Sequence, residues 1–438
     1  MSSVEQFTSE YSAKLTDSDD AVASLPEDSL VIFGTGLSEP QRLLWSLSNR
    51  LRDGNLCRLR IFSGPPSYHA ADSLCAPDIA DKVERVSQFV GPAERNDIRA
   101  GLVSYLPHQF HSIPRLISET MEVTLAFTTV SPMDESGHFT LGTNNDFIST
   151  ALRCAREVIV EVNENMPRVH GDARLHISDV DAVVENHIPM PPVERVAGGP
   201  VDEKIAGWIA ELVPEAATIQ VGSGALPGMV CAALEGHRDL GIHTELMVPG
   251  LLDLVRSGAA NGSKKTEKPG KHVFTLVVGD ADDLALIHEN PDFESHPVSY
   301  TNRPSVIARN DRMISINSAL EVDLLGQVNA ESLEGFQFSG AGGQLDFVRG
   351  AYDSKGGKSI LAFHSTAKQG TISRIVPMFR EGTVVTTPRS DTHYVVTEFG
   401  VANLKGKSVK ERALAIIELS HPDFREELHR ASRELHLI

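Results

Sequence analysis

Residues 218–234 read Thr-Ile-Gln-Val-Gly-Ser-Gly-Ala-Leu-Pro-Gly-Met-Val-Cys-Ala-Ala-Leu. The first four residues are rich in β-branched side chains and predict a short buried strand, residues 218–221. Gly222-Ser223-Gly224 predicts a tight turn, and the apolar residues 226–234 predict a helix. A strand that leads through glycines into a helix is the basic unit of an α/β fold.

The same alternation of short apolar runs and amphipathic stretches continues through the chain and predicts an α/β protein with largely parallel sheets. Further segments are assigned by the same criteria. The predicted strands are residues 30–33, 123–130, 158–162, 272–278, 313–316, 359–363 and 394–397, and the predicted helices are residues 40–52 and 203–213.

The length of 438 residues predicts two domains rather than one. Residues 187–192 read His-Ile-Pro-Met-Pro-Pro and are followed by Gly198-Gly199-Pro200. Clustered prolines continue neither a helix nor a central strand. We therefore predict an N-terminal domain of residues 1–192 and a C-terminal domain of residues 193–438.

Composition excludes several classes of protein. The net charge of −19 argues against a nucleic-acid partner, because phosphate backbones require a basic face. No apolar run reaches the ~20 residues that span a bilayer, and residues 1–17 lack the pattern of a signal peptide. The four cysteines have no paired spacing, which favours free thiols in a reducing compartment. A cytoplasmic protein is expected.

Two glycine clusters are candidate ligand loops. The first is Gly222-Ser223-Gly224, where Pro227 occupies the position of the third glycine of a dinucleotide-binding motif, so a nicotinamide site is disfavoured. The second is Gly340-Ala341-Gly342-Gly343, where glycines at this density indicate left-handed backbone or the close approach of a ligand. A simple turn remains the alternative in both places.

Other motifs fail. Gly356-Gly357-Lys358-Ser359 and Gly406-Lys407-Ser408 resemble the end of a phosphate-binding P-loop, but Tyr352 and Val401 stand where its leading glycine is required. His108 and His111 have no further ligand candidates nearby, so no metal site is predicted. Lys264 and Lys265 belong to the densest cationic run, which forms either a solvated loop or an attractive surface for phosphates.

Several stretches, in order along nearly the whole chain, resemble the acetyl-CoA hydrolase/transferase family, which includes 4-hydroxybutyrate and butyryl-CoA:acetate CoA-transferases. The stretches that carry the resemblance are residues 241–245 and 250–254, 262–266, 316–323 with 326–327, 338–344 with 346–350, 374–377, 386–389 and 394–398.

The resemblance implies two CoA-transferase-type α/β domains, usually assembled as a homodimer or higher homo-oligomer, and a glutamate nucleophile that matches Glu245. It implies oxyanion donors at the backbone of Ser223 and Gly342. It also implies that Gly222, Gly224, Gly340 and Gly343 line the CoA thioester. Because CoA phosphates are strongly anionic, Lys264 and Lys265 are the candidates to attract them against the net charge of −19. Coenzyme A is then a substrate, and no permanently bound cofactor is expected.

The implied reaction exchanges coenzyme A between short-chain carboxylic acids, with acetate as an expected partner, through a glutamyl-CoA thioester. Three alternatives remain open. The first is hydrolysis of acyl-CoA at the same glutamate, the second is a non-catalytic acyl-CoA-binding protein, and the third is a nicotinamide oxidoreductase, which Pro227 disfavours.

Overall fold

The computed structural model describes residues 3–438, and these form two compact units. The first unit is the chain up to Val193 together with Val273–Thr301, and the second is Glu194–His272 together with Asn302–Ile438. The segment Val273–Thr301 had been predicted in the second domain. Hydrophobic periodicity identifies a buried segment but not the sheet that it joins, which explains the difference.

The chain alternates strands and helices throughout its length. The strands are β1 (Leu30–Phe33), β2 (Leu59–Ser63), β3 (Val83–Ser87), β4 (Val103–Tyr105), β5 (Leu125–Val130), β6 (His138–Thr140), β7 (Glu157–Val162), β8 (His170–Gly171), β9 (Arg174–His176), β10 (Ala182–Glu185), β11 (Thr218–Val221), β12 (Gly241–Ile242), β13 (Leu246–Met247), β14 (His272–Phe274), β15 (Leu276–Val277), β16 (Phe293–Ser295), β17 (Met313–Ser318), β18 (Glu321–Asp323), β19 (Val328–Asn329), β20 (Ser332–Leu333), β21 (Phe336–Gln337), β22 (Lys358–Ala362), β23 (Thr366–Ala367), β24 (Ile372–Ser373), β25 (Ile375–Val376), β26 (Tyr394–Thr397) and β27 (Gly400–Asn403). The helices are α1 (Ser3–Lys14), α2 (Ser18–Val22), α3 (Gln41–Arg52), α4 (Tyr68–Asp72), α5 (Arg95–Arg99), α6 (Ile113–Thr120), α7 (Ile148–Cys154), α8 (Pro200–Leu212), α9 (Ala225–Ala233), α10 (Pro249–Arg256), α11 (Ala281–Ile287), α12 (Val298–Thr301), α13 (Pro304–Ile307), α14 (Gln344–Asp353), α15 (Val409–Glu418) and α16 (Pro422–Glu434).

The first unit is built on a seven-stranded parallel sheet in the order β10-β7-β5-β1-β2-β3-β4. All six residues of β5 are buried, which is typical of parallel strands covered on both faces. The main hydrophobic core of the first unit includes leucines of α3 and the stacked rings of Phe33 in β1 and Phe127 in β5.

The second unit is built on a six-stranded sheet in the order β12-β11-β17-β22-β26-β27. Neighbouring strands are parallel except β27, which pairs antiparallel with β26 at one edge. Helices α14, α15 and α16 contribute apolar side chains to its core. The predicted α/β class with largely parallel sheets is therefore confirmed. No helix among residues 3–438 has the length and apolar character needed to cross a membrane.

One predicted strand was wrong. Residues 272–278 form two short strands, β14 and β15, interrupted at Thr275. The carbonyl of Thr275 accepts a hydrogen bond from the backbone of Asn145, so the chain leaves the first pairing at this point. Val273 and Phe274 are fully buried, and a short buried apolar run does not show where its strand ends.

Candidate active site

Glu245 lies just beyond the carboxyl end of β12, in the second unit. Parallel pairing of β12 with β11 fixes this segment, and the N–H of His243 extends it by donating to the carbonyl of Ile219 at 3.1 Å. His243 and Thr244 are fully buried, whereas Glu245 is half-buried. A rigid buried strand end thus presents one partly accessible carboxylate. Ligands of open α/β sheets bind at this edge.

Asn302 holds the carboxylate of Glu245. Its Nδ2 donates to Oε2 of Glu245 at 2.5 Å, and Asn302 itself is fully buried just before α13. Among the described residues, its Oδ1 atom has no hydrogen-bond partner. Buried polar atoms without partners are uncommon and are often found at functional sites. The sequence carries no motif that singles out Asn302.

Gly343, at the start of α14, packs directly against this pair. A Cβ atom added to Gly343 would lie 2.0 Å from Oε2 of Glu245 and 2.1 Å from Nδ2 of Asn302. Its φ of −94° suits any residue, so the missing side chain, not backbone freedom, is what the site requires. The preceding Gly342 has φ +51°, which glycine adopts without strain. The second glycine cluster is therefore in contact with Glu245 through Gly343.

The first glycine cluster leaves the neighbouring strand at the same edge of the sheet. β11 ends at Val221, and Gly224 has φ +113° immediately before α9. Ser223 and Gly224 are exposed, whereas the N–H of Gly222 donates to the carbonyl of Ile316 at 3.0 Å. Because β11 and β12 are adjacent and parallel, their carboxyl ends lie at the same edge of the sheet. Ser223 follows the end of β11, and Glu245 follows the end of β12.

Lys264 and Lys265 have different environments. Lys264 is exposed. Lys265 is buried, and its ammonium donates to the carbonyls of Ile242 at 2.8 Å and Lys271 at 2.7 Å. The predicted contact between Lys265 and CoA phosphates does not fit this position. The ammonium is buried and already donates to the backbone of β12, the strand that precedes Glu245.

Gln344 connects the second glycine cluster to the rest of the unit. Its Nε2 donates to the carbonyl of Ser318 at 2.8 Å, and its Oε1 accepts from the hydroxyl of Thr387 at 3.1 Å. The end of β17, the start of α14 and the segment Thr386–Arg389 are therefore linked. Three of the stretches quoted for the family resemblance meet here.

Both halves of the chain are similar to known proteins. The chain matches the acetyl-CoA hydrolase/transferase N-terminal domain over residues 1–194 and the C-terminal domain of the same family over residues 279–432. It is 40% identical to succinyl-CoA:cyclohexane-1-carboxylate CoA transferase of Geobacter metallireducens, over 99% of this chain and 98% of that protein.

Solved structures agree. RipA from Yersinia pestis is 46% identical, with a TM-score of 0.95 over 99% of this chain and 100% of that one. A 4-hydroxybutyrate CoA-transferase from Porphyromonas gingivalis is 35% identical, with a TM-score of 0.84 over 98% of this chain and 100% of that one.

The fold and the matched relatives define an α/β enzyme of the acyl-CoA:carboxylate CoA-transferase class. The chain belongs to the acetyl-CoA hydrolase/transferase family. The family resemblance recognised in the sequence is confirmed.

Proposed function

We propose that this protein transfers coenzyme A between short-chain carboxylic acids, with acetate as one partner, through a covalent intermediate on Glu245. The observation that carries the proposal is the half-buried carboxylate of Glu245, held by Asn302 and closely covered by Gly343. A carboxylate can occupy the place of the substrate acid, which is the chemistry that this exchange needs.

The proposed reaction begins when a carboxylate oxygen of Glu245 attacks the thioester carbonyl of the acyl-CoA. The C–S bond breaks, and a mixed anhydride and CoA thiolate form. The thiolate then attacks the glutamyl carbonyl, the anhydride C–O bond breaks, and the first acid leaves as its carboxylate. A second carboxylate reverses the steps and regenerates Glu245. One thioester replaces another, so no external energy source is needed.

Backbone N–H groups are proposed to stabilise the oxyanion formed in each attack. Ser223 and Gly342 are the proposed donors, and Gly222, Gly224, Gly340 and Gly343 are proposed to let the thioester approach closely. One such donor contributes about 2.7–4 kcal/mol to a transition state. Gly342 precedes Gly343, whose packing against Glu245 supports its place in this group.

Asn302 is proposed to orient the nucleophile. A buried amide donor fixes one carboxylate oxygen, and it does so without the charge that a lysine or arginine would add. A hydrogen bond to a charged group contributes about 1.5–3 kcal/mol. The distance of 2.5 Å between Nδ2 of Asn302 and Oε2 of Glu245 is short for an N–H donor, so the two side chains are in close contact.

Hydrolysis of acyl-CoA at the same glutamate is the second candidate, because water can attack the glutamyl thioester in place of an acid. Product analysis distinguishes the two. Incubation with acetyl-CoA and a second acid, such as butyrate, is expected to give the new acyl-CoA with little free CoA. Release of free CoA at the same rate without any acid would instead support a hydrolase.

Glu245→Gln tests the assignment of the residue. The variant is expected to lose transfer, because an amide does not form the anhydride. Glu235→Gln, at an exposed glutamate of the same unit, is the matched control and is expected to keep it. Full transfer by Glu245→Gln would exclude this mechanism.

The proposal extends to the compartment, the oligomeric state and the role of coenzyme A. Buried free thiols at Cys75 and Cys231, whose pKa burial raises to about 12, are compatible with a reducing compartment, and we propose the cytoplasm. We propose a homodimer or higher homo-oligomer by likeness to the family. Coenzyme A is proposed to act as a substrate, without a permanently bound cofactor.

A further inference from the structure

A group of cationic side chains gathers on the second unit around the loop that follows Thr387. Lys405 donates from Nζ to the carbonyl of Ser390 at 2.7 Å, and Arg412 donates from Nη1 to the carbonyl of Arg389 at 2.6 Å. Two cations therefore reach carbonyls of consecutive residues. Arg412 also donates from Nε to the carbonyl of Lys407 at 3.3 Å. We call the following residues the basic patch: Arg389, Lys405, Lys407, Lys410 and Arg412.

The charge of the basic patch is not neutralised by ion pairs. Within the described part of the chain, none of its five members forms an ion pair with a carboxylate. The nearby Asp391 pairs with Arg349 at 3.1 Å, and Glu411 is bonded to the backbone and hydroxyl of Ser408. Such a surface is unexpected in a chain of net charge −19 and favours an anionic ligand.

Three members of the basic patch, Arg389, Lys405 and Arg412, act on one another. Burial lowers the pKa of Arg412, and the guanidinium of Arg389 lowers this pKa further. Burial likewise lowers the pKa of Lys405; Asp391 and Asp353 oppose this effect, and Arg412 adds to it. Arg389, Lys407 and Lys410 are exposed, so their cationic ends can be reached from solvent. A bound anion would relieve the repulsion of Arg412 by Arg389 and Lys405.

The basic patch is joined to the proposed active site by a short piece of chain. Thr387 donates to Gln344, the residue after Gly343, and Arg389 follows Thr387 by two residues. Two residues span at most about 7 Å of extended backbone. The neighbouring glycine loop is the one that contacts Glu245.

We propose that the basic patch binds phosphate groups, and its link to the glycine loop favours the phosphates of the CoA substrate as their source. This inference rests on the proposed function for the choice of ligand, but not for the presence of a phosphate site. It assigns the phosphates to Arg389, Lys407 and their neighbours instead of the buried Lys265.

The test uses the double variant Arg389→Gln/Lys407→Gln of the full chain, because both side chains are exposed. We expect KM for acetyl-CoA to rise between about two-fold and thirty-fold, as loss of two exposed charge contacts predicts. The value of kcat and KM for the acid are expected to stay unchanged. Added salt is expected to reduce the difference, since it screens exposed charges. Lys204→Gln, at an exposed lysine in α8, is the control and is expected to leave KM unchanged.

Calorimetric binding of inorganic pyrophosphate gives a second readout that needs no catalysis. Wild type is expected to bind pyrophosphate in competition with CoA, and the double variant is expected to lose this binding. Loss of pyrophosphate binding with unchanged KM for acetyl-CoA would support a phosphate site but assign it to a ligand other than the substrate. If neither pyrophosphate binding nor KM changes in the double variant, or if Lys204→Gln has the same effect, the inference is overturned. If wild type binds pyrophosphate and the double variant does not, but wild type has no transferase activity, the result would contradict the proposed function alone.

Discussion

Asn302 and Glu245 are 57 positions apart in the chain, and Nδ2 of Asn302 lies 2.5 Å from Oε2 of Glu245. The fold brings them together because Glu245 lies between β12 and β13, and Asn302 lies just before α13 in the same unit. Gly343 closes over both atoms. The orientation of Glu245, the proposed nucleophile, thus depends on the amide of Asn302 and on the absence of a side chain at Gly343.

Asn302→Ala is expected to lower kcat/KM about ten- to a hundred-fold, the loss expected for a hydrogen bond to a charged group. Asn302→Asp is expected to lower kcat/KM more than Asn302→Ala does. An aspartate next to Glu245 removes the donor and adds a like charge, which disfavours the ionised form of the nucleophile. Steady-state kinetics and thermal unfolding of both variants distinguish lost orientation from lost folding. Activity of Asn302→Asp equal to wild type would contradict the orienting role.

Gly343→Ala is expected to abolish most activity, because the added methyl group would overlap both Glu245 and Asn302. The backbone of Gly343 tolerates alanine, so the variant is expected to fold. Gly207→Ala, in the interior of α8 with open space around the added methyl group, is the matched control. Transfer assays of the two variants should differ widely, and equal activity would show that the close contact is not needed.

Local patterns predicted much of this molecule. The strand β1 and the helix α3 follow from apolar periodicity, and the segment around Gly224 was correctly predicted as a strand-to-helix turn. Asn302 was not predicted, because its role comes from a contact 57 positions away and no local pattern encodes it. Lys265 reads as a solvated or phosphate-binding cation, and only its position against the carbonyl of Ile242 shows that it is buried.

Lys265→Met is expected to destabilise the protein by about 1–3 kcal/mol, because the carbonyls of Ile242 and Lys271 would lose a buried donor. Lys264→Met is expected to change stability by less than about 0.5 kcal/mol, since Lys264 is exposed. Urea denaturation measures both. A variant of Lys265 with native stability but a raised KM for acyl-CoA would restore the role in phosphate attraction that the sequence indicated.

Stability is expected to fall in acid partly through His272. Burial, followed by the ammonium of Lys265, lowers the pKa of His272 from 6.5 to about 3. The unfolded state therefore binds a proton first, so this contribution to stability is complete above pH 6.5 and is lost as the pH falls towards 3. The loss is on the order of 3 kcal/mol by about pH 4.

His272→Asn is expected to flatten the dependence of unfolding free energy on pH between 6.5 and 3. His170→Asn, at an exposed histidine, is the control and is expected to retain the slope of the wild type. Denaturant titrations across this range measure both slopes. An unchanged slope in His272→Asn would show that this side chain is not the group that titrates on unfolding.

The most direct measurement traps the covalent intermediate. Incubation with acetyl-CoA and no second acid, followed by borohydride reduction, converts a glutamyl thioester to the corresponding alcohol, which peptide mass analysis locates. The modification is expected on Glu245 and is expected to be absent from Glu245→Gln. A reduced residue at any other position, or none in an enzyme that transfers CoA, would contradict the proposed role of Glu245.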